Sequence, residues 1–325
     1  MSVASEITRI KTNISNAYTE LKNKNASLPS VENSDGLANS IASISTGGGT
    51  IEKGLVINEC DSDGYPIDMS IVGMTEIPAY YCYYTFYNSS TEIGVFGKVG
   101  SNLHLPNNLT SIGLRAFMYS NALAITELPE SVVTINNSAF NSCNALALSK
   151  LPTGLTKIND RAFYSCNNIT LTSLPDNITT IEQYAFYACK NIKLTSLPDK
   201  VTSIGASSFQ SCVSLTSMCL PTGITTLPAT CFNGCEKLYD ITCLGNISVI
   251  NASCFGSCSV LTKLVLPNIT KVPTLSNTNV FNNTPIKSGT GYIYIPDELV
   301  EEAKVKSNWS TYAAQIKGIS ELPTE

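Results

Sequence analysis

Phenylalanine recurs at a fixed interval of 23 residues through the middle of the chain, and this apolar period organises the sequence. One series keeps the interval at every step: Phe117, Phe140, Phe163, Phe186, Phe209, Phe232 and Phe255. Leu-Pro pairs keep the same interval, and I-T-x-I segments such as residues 178–181 follow them. A constant period of roughly 20–50 residues is the signature of a repeat architecture. The pattern therefore predicts a stack of similar units.

Each unit is too short to bury its own apolar face. It holds two short extended segments and two turns, so its core forms only when units stack in register. Proline donates no hydrogen bond to a neighbouring strand, and the Leu-Pro pair should therefore end an extended segment. These features predict a β-rich solenoid over residues 103–284, in which equivalent apolar side chains lie above one another.

The residues of the unit carry a family resemblance. From Ala162-Phe163 through Leu174-Pro175 to residues 178–181, the unit resembles the BspA-like (Treponema pallidum-type) leucine-rich repeat family. This resemblance covers about residues 103–284 and implies a leucine-rich-repeat solenoid that works as an adhesion or binding scaffold without catalytic residues. Several units depart from the pattern by reading L-T-S-L-P, as at residues 171–175, which places an apolar residue one position early and leaves the register of that strand open.

The first 24 residues carry apolar positions at alternating steps of three and four, which predicts a helix. This candidate oligomer seam consists of Ile7, Ile10, Ile14, Ala17 and Leu21. So short a helix is marginal alone, and isoleucine at both core positions favours trimers or higher oligomers. Two interpretations stay open: a homo-oligomer, with a trimer favoured, or a helix packed on its own domain.

The N-terminal stretch also carries a second resemblance. The segment from S-E-I-T-R-I-K-T-N-I to G-L-A-N-S-I is similar to the start of tail or baseplate-associated structural proteins of phages of Gram-positive bacteria. This implies attachment to other virion tail or baseplate proteins through residues 1–46. No secretory signal peptide is visible in the first thirty residues. We therefore expect a protein made in the host cytoplasm and carried on a virion tail, with the bacterial cell surface as the alternative location.

Weaker patterns flank the repeats. Residues 51–59 and 67–74 read as strands, and D-S-D-G at residues 61–64 predicts a turn because the later ligands of an EF-hand calcium loop are missing. The tyrosine-rich run at residues 80–87 indicates a cap over the first turn, in preference to a stacking platform for a ligand. The predicted divisions are a helical assembly segment (1–46), a linker with a β transition and a degenerate first repeat (47–102), the solenoid (103–284) and a C-terminal cap (285–325).

The C-terminal cap is predicted as a strand followed by helix. The strand covers residues 292–295, and Asp297 can cap the helix that follows. The apolar face of this helix would include Leu299 and Val305. Trp309 is expected to be buried, because a solenoid needs a cap to keep water from its last turn.

Composition argues against an enzyme. Charged residues make up 14% of the chain and the net charge is -5, so the dense basic surface that nucleic acid requires is missing. No apolar run reaches the ~18 residues of a membrane span. His104 is the only histidine, and phosphate-binding glycine loops and G-x-S-x-G elbows are absent. We predict a non-enzymatic protein without a cofactor.

Twelve cysteines are present, and most follow the repeat. The C-x-x-x-C spacings at residues 231–235 and 254–258 could suggest zinc. However, one set lies three residues after successive repeat phenylalanines: Cys143, Cys166, Cys189, Cys212, Cys235 and Cys258. Such a column favours small apolar side chains that fill an inside corner. Side chains in register point the same way, so we predict free thiols and no metal.

Variable positions beside the core phenylalanines carry the candidate ligand surface. Its members are Tyr119, Tyr164, Tyr184, Tyr187 and Lys190. Tyrosines on a face of low charge suit recognition of a host-surface carbohydrate or protein. A solubilising role explains any single one of them equally well. The leading hypothesis is a phage or prophage tail protein that recognises the host cell; the alternatives are a bacterial surface adhesin and a structural scaffold without a receptor.

Overall fold

The computed structural model describes residues 54–60, 66–79, 81 and 102–323. The chain divides into two compact units, Met1–Leu148 and Ser149–Glu325. The predicted helical segment 1–46 with its seam, the turn at residues 61–64 and all but one residue of the tyrosine-rich run lie outside the described residues.

Two small sheets form in the described part of the first unit. Strand β1 (Gly54–Cys60) pairs antiparallel with β2 (Pro66–Val72), and β2 pairs parallel with β4 (Asn102–His104). The second sheet is parallel throughout and consists of β3 (Glu76–Ile77), β5 (Ser111–Ile112) and β6 (Thr134–Ile135). Strands β1 and β2 agree with those predicted at residues 51–59 and 67–74. The step from β5 to β6 is one repeat, so the stack of turns already begins in this unit.

The second unit is built from three parallel sheets. Two have strands of two residues: β7 (Lys157–Ile158), β8 (Thr180–Ile181) and β9 (Ser203–Ile204) form one, and β11 (Thr226–Leu227), β13 (Val249–Ile250) and β15 (Thr274–Leu275) form the other. The third sheet has the order β10 (Ser217–Leu220), β12 (Asp240–Cys243), β14 (Lys263–Val265), β16 (Tyr292–Ile295) and β17 (Ile316–Gly318). Each strand pairs with its equivalent in the next turn, which is the pairing of a β-solenoid with little helix.

The repeat phenylalanines form the centre of the core. In the first unit Phe117 and Phe140 stack with ring centroids 5.3 Å apart. In the second unit the stack runs from Phe163 to Phe281, and the centroids of successive rings are 5.5–6.0 Å apart. All of these rings are fully buried. Burial of one such side chain stabilises the fold by roughly 1.5–3 kcal/mol, so the loss of one ring should open the stack locally.

Strands before the Leu-Pro pairs form only in part of the solenoid, which differs from the prediction. In the turn of Phe163, the buried leucines Leu171 and Leu174 are separated by two exposed residues, and no strand forms. In β10, Met218 and Leu220 are buried at alternate positions. A strand exposes successive side chains on opposite faces, so a spacing of two permits a ladder and a spacing of three interrupts it. The spacing of three occurs in the L-T-S-L-P units, whose strand register the sequence alone did not determine.

The C-terminal cap closes the second unit. After helix α1 (Pro285–Ser288) and β16 come 3-10 turns at Asp297–Leu299, Trp309–Gln315 and Ile319–Glu321, together with helix α2 (Val300–Val305). The Trp309 indole N–H donates to the carbonyl of Pro273 at 2.7 Å, and the Tyr312 hydroxyl donates to that of Thr278 at 2.7 Å. Tyr312 also meets the ring of Phe281 edge-on at 5.1 Å. The cap thus occupies the carbonyls and the ring that a further turn would otherwise cover.

Two details of the predicted cap are wrong. Asp297 does not cap the helix through its side chain; its Oδ1 accepts hydrogen bonds from the backbone and hydroxyl of Ser320 and so ties the cap to the C-terminal turn. Val305 is 80% exposed, whereas Ala303 is the buried residue of α2. The helix is only six residues long, and a single buried position suffices to seat it.

Candidate functional site

The loop around each core phenylalanine has a backbone conformation that side-chain residues seldom adopt. In the turns from Phe117 to Phe255, the residues two before and two after the phenylalanine have positive φ, as at Arg161 (52°) and Ser165 (55°). This left-handed region is uncommon for residues other than glycine. The N–H groups of Arg161, Phe163 and Ser165 donate to carbonyls one turn later, while those between them bond within the turn. The loop is therefore a rigid ladder, and its side chains are held in fixed places.

Three tyrosines meet on two successive loops of the second unit. Tyr164 and Tyr187 occupy the position after the phenylalanine in neighbouring turns, and their rings stack at 4.5 Å with an interplanar angle of 6°. Tyr184, two residues before Phe186, lies 5.9 Å from Tyr187 and 6.3 Å from Tyr164 at tilted angles. All three remain partly exposed. We call this group, together with Arg161, the tyrosine face.

Arg161 completes the tyrosine face. Its guanidinium carbon lies 4.5 Å from the centroid of the Tyr184 ring, a cation–π arrangement. Arg161 also pairs with Asp160 at 2.6 Å. Beside it, Lys157 and Glu182 form a second ion pair at 2.7 Å. The Tyr184 ring thus lies next to a cation that already has a carboxylate partner.

The electrostatic setting of Tyr164 favours the neutral phenol. Partial burial, and after it the neighbouring Tyr187, raise the pKa of Tyr164 above its ordinary value of 10.0. The hydroxyl therefore stays protonated at neutral pH and can donate a hydrogen bond to a ligand.

The remaining predicted surface residues are Lys190 and Tyr119. Lys190 is exposed and takes part in none of the ring contacts described above. Tyr119 belongs to the first unit, where it has a left-handed backbone with φ of 65°. Arg161 was missed by the sequence reasoning, although it holds the repeat position that Tyr184 holds one turn later. Comparing that position across the turns would have found it.

The predicted cysteine column is present, and it is hydrogen bonded. Five of its six thiols donate to the carbonyl of the phenylalanine 26 residues earlier: Cys143 to Phe117, Cys189 to Phe163, Cys212 to Phe186, Cys235 to Phe209 and Cys258 to Phe232, over 2.9–3.2 Å. Cys166 directs its thiol to the carbonyl of Tyr164 at 4.0 Å. The column therefore links successive turns as well as filling space. The ten cysteines between residues 143 and 258 form no disulfide bonds.

Burial makes these thiols weak acids. It raises the pKa of Cys231 and of Cys258 from the ordinary 9.0 to about 12. Burial raises the pKa of Cys189, Cys235 and Cys254 as well, and neighbouring cysteines add to the rise. Thiolate is the form that attacks electrophiles and binds metals, so these groups are inert in the folded protein.

Within the described residues, no group of three or more His, Cys, Asp or Glu side chains is arranged to hold a metal ion. None of the helices in the same ranges has the length and apolar character of a membrane span.

The repeat matches a family model over most of its length. The model of the BspA type leucine rich repeat region matches in six copies, at residues 83–193 and 156–287. This chain belongs to the BspA-type leucine-rich repeat family. Proteins of this family typically bind other molecules and are not enzymes. The expected family is therefore confirmed, and its matched span includes the tyrosine face.

Solved structures of leucine-rich repeat proteins are similar to this chain. A leucine-rich repeat protein from Bacteroides ovatus ATCC 8483 is 28% identical with a TM-score of 0.50, covering 59% of this chain and 48% of its own. The chain thus spans about half the length of that protein, and the match confirms the leucine-rich-repeat solenoid. A leucine rich cell surface protein from Faecalibacterium prausnitzii A2-165 (18%, TM-score 0.35, 79% and 95% covered) and the T. pallidum leucine rich repeat protein (22%, 0.37, 62% and 86%) match more distantly.

The comparisons do not support the resemblance of the N-terminal segment to phage tail proteins. The family model begins at residue 83, so residues 1–46 lie outside it. No curated protein matches the sequence.

Proposed function

We propose that this protein is a non-enzymatic binding protein that attaches to a cell surface through the tyrosine face. One observation carries the proposal: Tyr164, Tyr184 and Tyr187 cluster, partly exposed, on a rigid loop ladder. Tyrosine offers a large contact area together with a hydroxyl for hydrogen bonding, at little cost in conformational entropy.

The fold itself does not require these tyrosines. In later turns of the same unit, the position of Tyr184 is held by Ser207, Thr230 and Ser253, and that of Tyr187 by Gln210 and Asn233. Those turns stack their phenylalanines at the same spacing. Since the solenoid forms equally well with small polar residues there, aromatic side chains at this one place point to recognition.

The test is the combined substitution Tyr164→Ser, Tyr184→Ser and Tyr187→Ser in the full chain. Binding of the labelled protein to a panel of bacterial and animal cells, followed by flow cytometry, should fall at least tenfold in the variant. The thermal unfolding midpoint should stay close to that of the unchanged protein, because polar residues hold both repeat positions in later turns. Serine holds the Tyr184 position at residues 207 and 253, and glutamine and asparagine hold the Tyr187 position at residues 210 and 233. Tyr239→Ser, which removes a tyrosine that is 50% exposed elsewhere on the unit, is the matched control and should bind normally. Unchanged binding of the triple variant would remove the tyrosine face from the function and favour a scaffold without a receptor.

We place this binding protein on the bacterial surface as an adhesin, in keeping with its family. A second candidate is a component of a phage or prophage tail, favoured only by the sequence of residues 1–46, which would join other tail or baseplate proteins. Antibody labelling of intact cells and of induced virions separates the two locations.

The same N-terminal segment carries the proposal of a homo-oligomer, with a trimer favoured. Light scattering of the full chain should give a multiple of the 34.8 kDa monomer mass. Substitution of Ile10→Lys and Ile14→Lys should return a monomer, because charge at core positions of a helical seam opposes association. A monomeric mass for the unchanged chain would favour a helix packed on its own domain.

A further inference from the structure

We propose that Tyr164 and Tyr187 form a site of oxidative cross-linking, at which a haem peroxidase and hydrogen peroxide join the two rings into one dityrosine. The new bond would connect two successive turns of the second unit, one repeat apart in sequence. The modification needs no ligand, so it does not depend on the proposed function. Three features support it: parallel rings that lie close together, a backbone that holds them in place, and access from solvent.

The two rings already have the arrangement from which phenol radicals couple. The unpaired electron of a phenoxyl radical lies in orbitals perpendicular to the ring, so coupling begins where two ring faces overlap. The rings of Tyr164 and Tyr187 have centroids 4.5 Å apart and lie within 6° of parallel, so their planes are separated by no more than that distance. Ordinary contact between carbon atoms is about 3.5–4.0 Å. A small tilt of each ring about its Cβ atom therefore brings the carbons beside the hydroxyls together.

The loop ladder keeps this pair in place. Tyr164 and Tyr187 directly follow the core phenylalanines Phe163 and Phe186, whose rings stack at 5.6 Å. The N–H of Ser165 donates to the carbonyl of Tyr187 at 2.7 Å and so fixes one loop against the next. Burial is the first cause of the raised pKa of Tyr164 and Tyr187 is the second, as expected for phenol groups that lie side by side. A partner held this close reacts as if it were present at very high concentration, so coupling within the chain should exceed coupling between chains.

Two other groupings of tyrosine in the second unit have less favourable geometry. Tyr184 is tilted by 56° and 60° to the two stacked rings. The guanidinium of Arg161 lies 4.5 Å from its centroid, and a positive charge at that distance opposes the removal of an electron. Tyr292 and Tyr294 are 6.4 Å apart at 55°, and Tyr294 is only 4% exposed. Oxidation should therefore select the stacked pair, both members of which are partly exposed.

The reaction balances with one molecule of peroxide. The haem, oxidised by hydrogen peroxide, takes one electron and one proton from each phenol, and the peroxide is reduced to two molecules of water. The two phenoxyl radicals join through the carbons next to their oxygens. Each of these carbons then releases its hydrogen as a proton while its oxygen takes one up, which restores both aromatic rings. The chain thus loses two hydrogen atoms and gains one carbon–carbon bond.

The experiment treats the full chain with a haem peroxidase and hydrogen peroxide and maps the product by mass spectrometry. Trypsin together with a glutamate-specific protease separates Tyr164, in peptide 162–182, from Tyr184 and Tyr187, in peptide 183–190. We expect these two peptides to be joined with the loss of two hydrogen atoms, in a yield that stays constant on tenfold dilution of the protein. The urea midpoint of the product should rise, because a covalent link between turns restricts the unfolded chain.

Phenylalanine variants distinguish the stacked pair from its neighbours. Tyr164→Phe and Tyr187→Phe keep a ring in place but remove the phenol that is oxidised, so each should lower the yield of joined peptides at least tenfold. Tyr184→Phe should change the yield less than twofold. Tyr239→Phe alters a tyrosine that is 50% exposed elsewhere on the unit and should leave the yield unchanged. Unfolding midpoints close to that of the unchanged protein confirm that each variant is folded.

Three results would overturn the proposal, each in its own way. A bond inside peptide 183–190 would make Tyr184 the partner of Tyr187. Chains joined to one another on a denaturing gel, in an amount that falls on dilution, would show random coupling between molecules. A chain without dityrosine, in a mixture where free tyrosine is oxidised, would show that the stacked pair does not react.

Discussion

Individual cysteines show how far a repeat pattern reveals the role of a residue. The period placed Cys189, Cys212, Cys235 and Cys258 in one column and predicted small side chains in a tight corner. A spacing in sequence predicts no hydrogen-bond partner for these thiols, because it does not say which backbone carbonyl lies nearby. The structure supplies the missing partner: each thiol donates to a phenylalanine carbonyl that also accepts an N–H within its own turn, as at Phe186. A buried carbonyl has two lone pairs, and the column occupies both.

The raised pKa of these thiols predicts a loss of stability in alkali. Because the folded pKa of Cys258 is about 12 against an ordinary 9.0, the thiol stabilises the fold fully below pH 9. Above that pH the unfolded chain releases the proton first, and the contribution is lost as pH rises toward 12. Each such cysteine should remove about 1 kcal/mol per pH unit from the free energy of unfolding. Urea unfolding under reducing conditions at pH 8, 9, 10 and 11 measures the slope.

Two single-cysteine variants provide the comparison for this slope. Cys258→Ala should make the decrease of unfolding free energy with pH less steep, by the contribution of one buried thiol. Cys219→Ala removes the partly exposed cysteine and should flatten it less, since a partly exposed thiol loses less solvation on folding. If the unfolding free energy of Cys258→Ala and of the unchanged protein fell equally steeply with pH, the Cys258 thiol would not be a cause of the loss of stability in alkali.

At the scale of the element, the phenylalanine loop and the short strands differ in how well the sequence predicts them. The phenylalanine period predicts the loop position in every turn, yet it does not reveal the left-handed residues, because serine, alanine, arginine and tyrosine all occupy them. The strands before the Leu-Pro pairs follow a simpler rule. Buried residues two apart, as in Met218 and Leu220, give a strand, and buried residues three apart, as in Leu171 and Leu174, do not.

The left-handed positions predict a stabilising substitution. Ala188 has φ of 54°, and its position is held by Gly234 two turns later with φ of 72°. A left-handed residue with a side chain costs about 1–2 kcal/mol, and glycine costs about 0.5–1 kcal/mol of chain entropy, so Ala188→Gly should raise the free energy of unfolding by about 0.5–1 kcal/mol. The hydrogen bond from its N–H to Gln210 remains. Urea unfolding tests this against Ala185→Gly, a buried neighbour that should instead lose stability; a loss in both variants would contradict the reasoning.

At the scale of the whole molecule, the described part of each unit could be assigned to a solenoid from the period alone, whereas the ends could not. The C-terminal cap was expected around Trp309, but the side chains that seal it act on carbonyls some 34–36 residues earlier, at Val272, Pro273 and Thr278. These hydrogen bonds join residues that are brought together only by the fold, and no repeating pattern in the sequence predicts them. The tyrosine face is predicted in part by the sequence. Its three tyrosines belong to the predicted ligand surface, whereas the contact of Arg161 with Tyr184 is seen only in the structure.

Removing the cap side chain should open the second unit from its C-terminal end. Trp309→Ala should cost about 3–5 kcal/mol, the usual loss for a fully buried large aromatic residue. In a stack of turns that contact only their neighbours, amide exchange should rise first in residues 263–281 and later in turns farther away. Val305→Ala alters an 80% exposed side chain of the same cap and should change stability by less than about 0.5 kcal/mol. A uniform rise in exchange along the unit would instead indicate a single cooperative block.

The contacts of the cap have a consequence for how such a chain can change over generations. Its strand pairing, its hydrogen bonds to carbonyls and its aromatic contact with the preceding turn involve residues 262–281. Duplication or deletion of one 23-residue unit upstream of residue 262 would present the cap with the same last turn. Unequal recombination can therefore change the number of turns in related proteins. Such a change lengthens or shortens the solenoid between the tyrosine face and the cap, and it leaves every contact of the cap with the last turn unchanged.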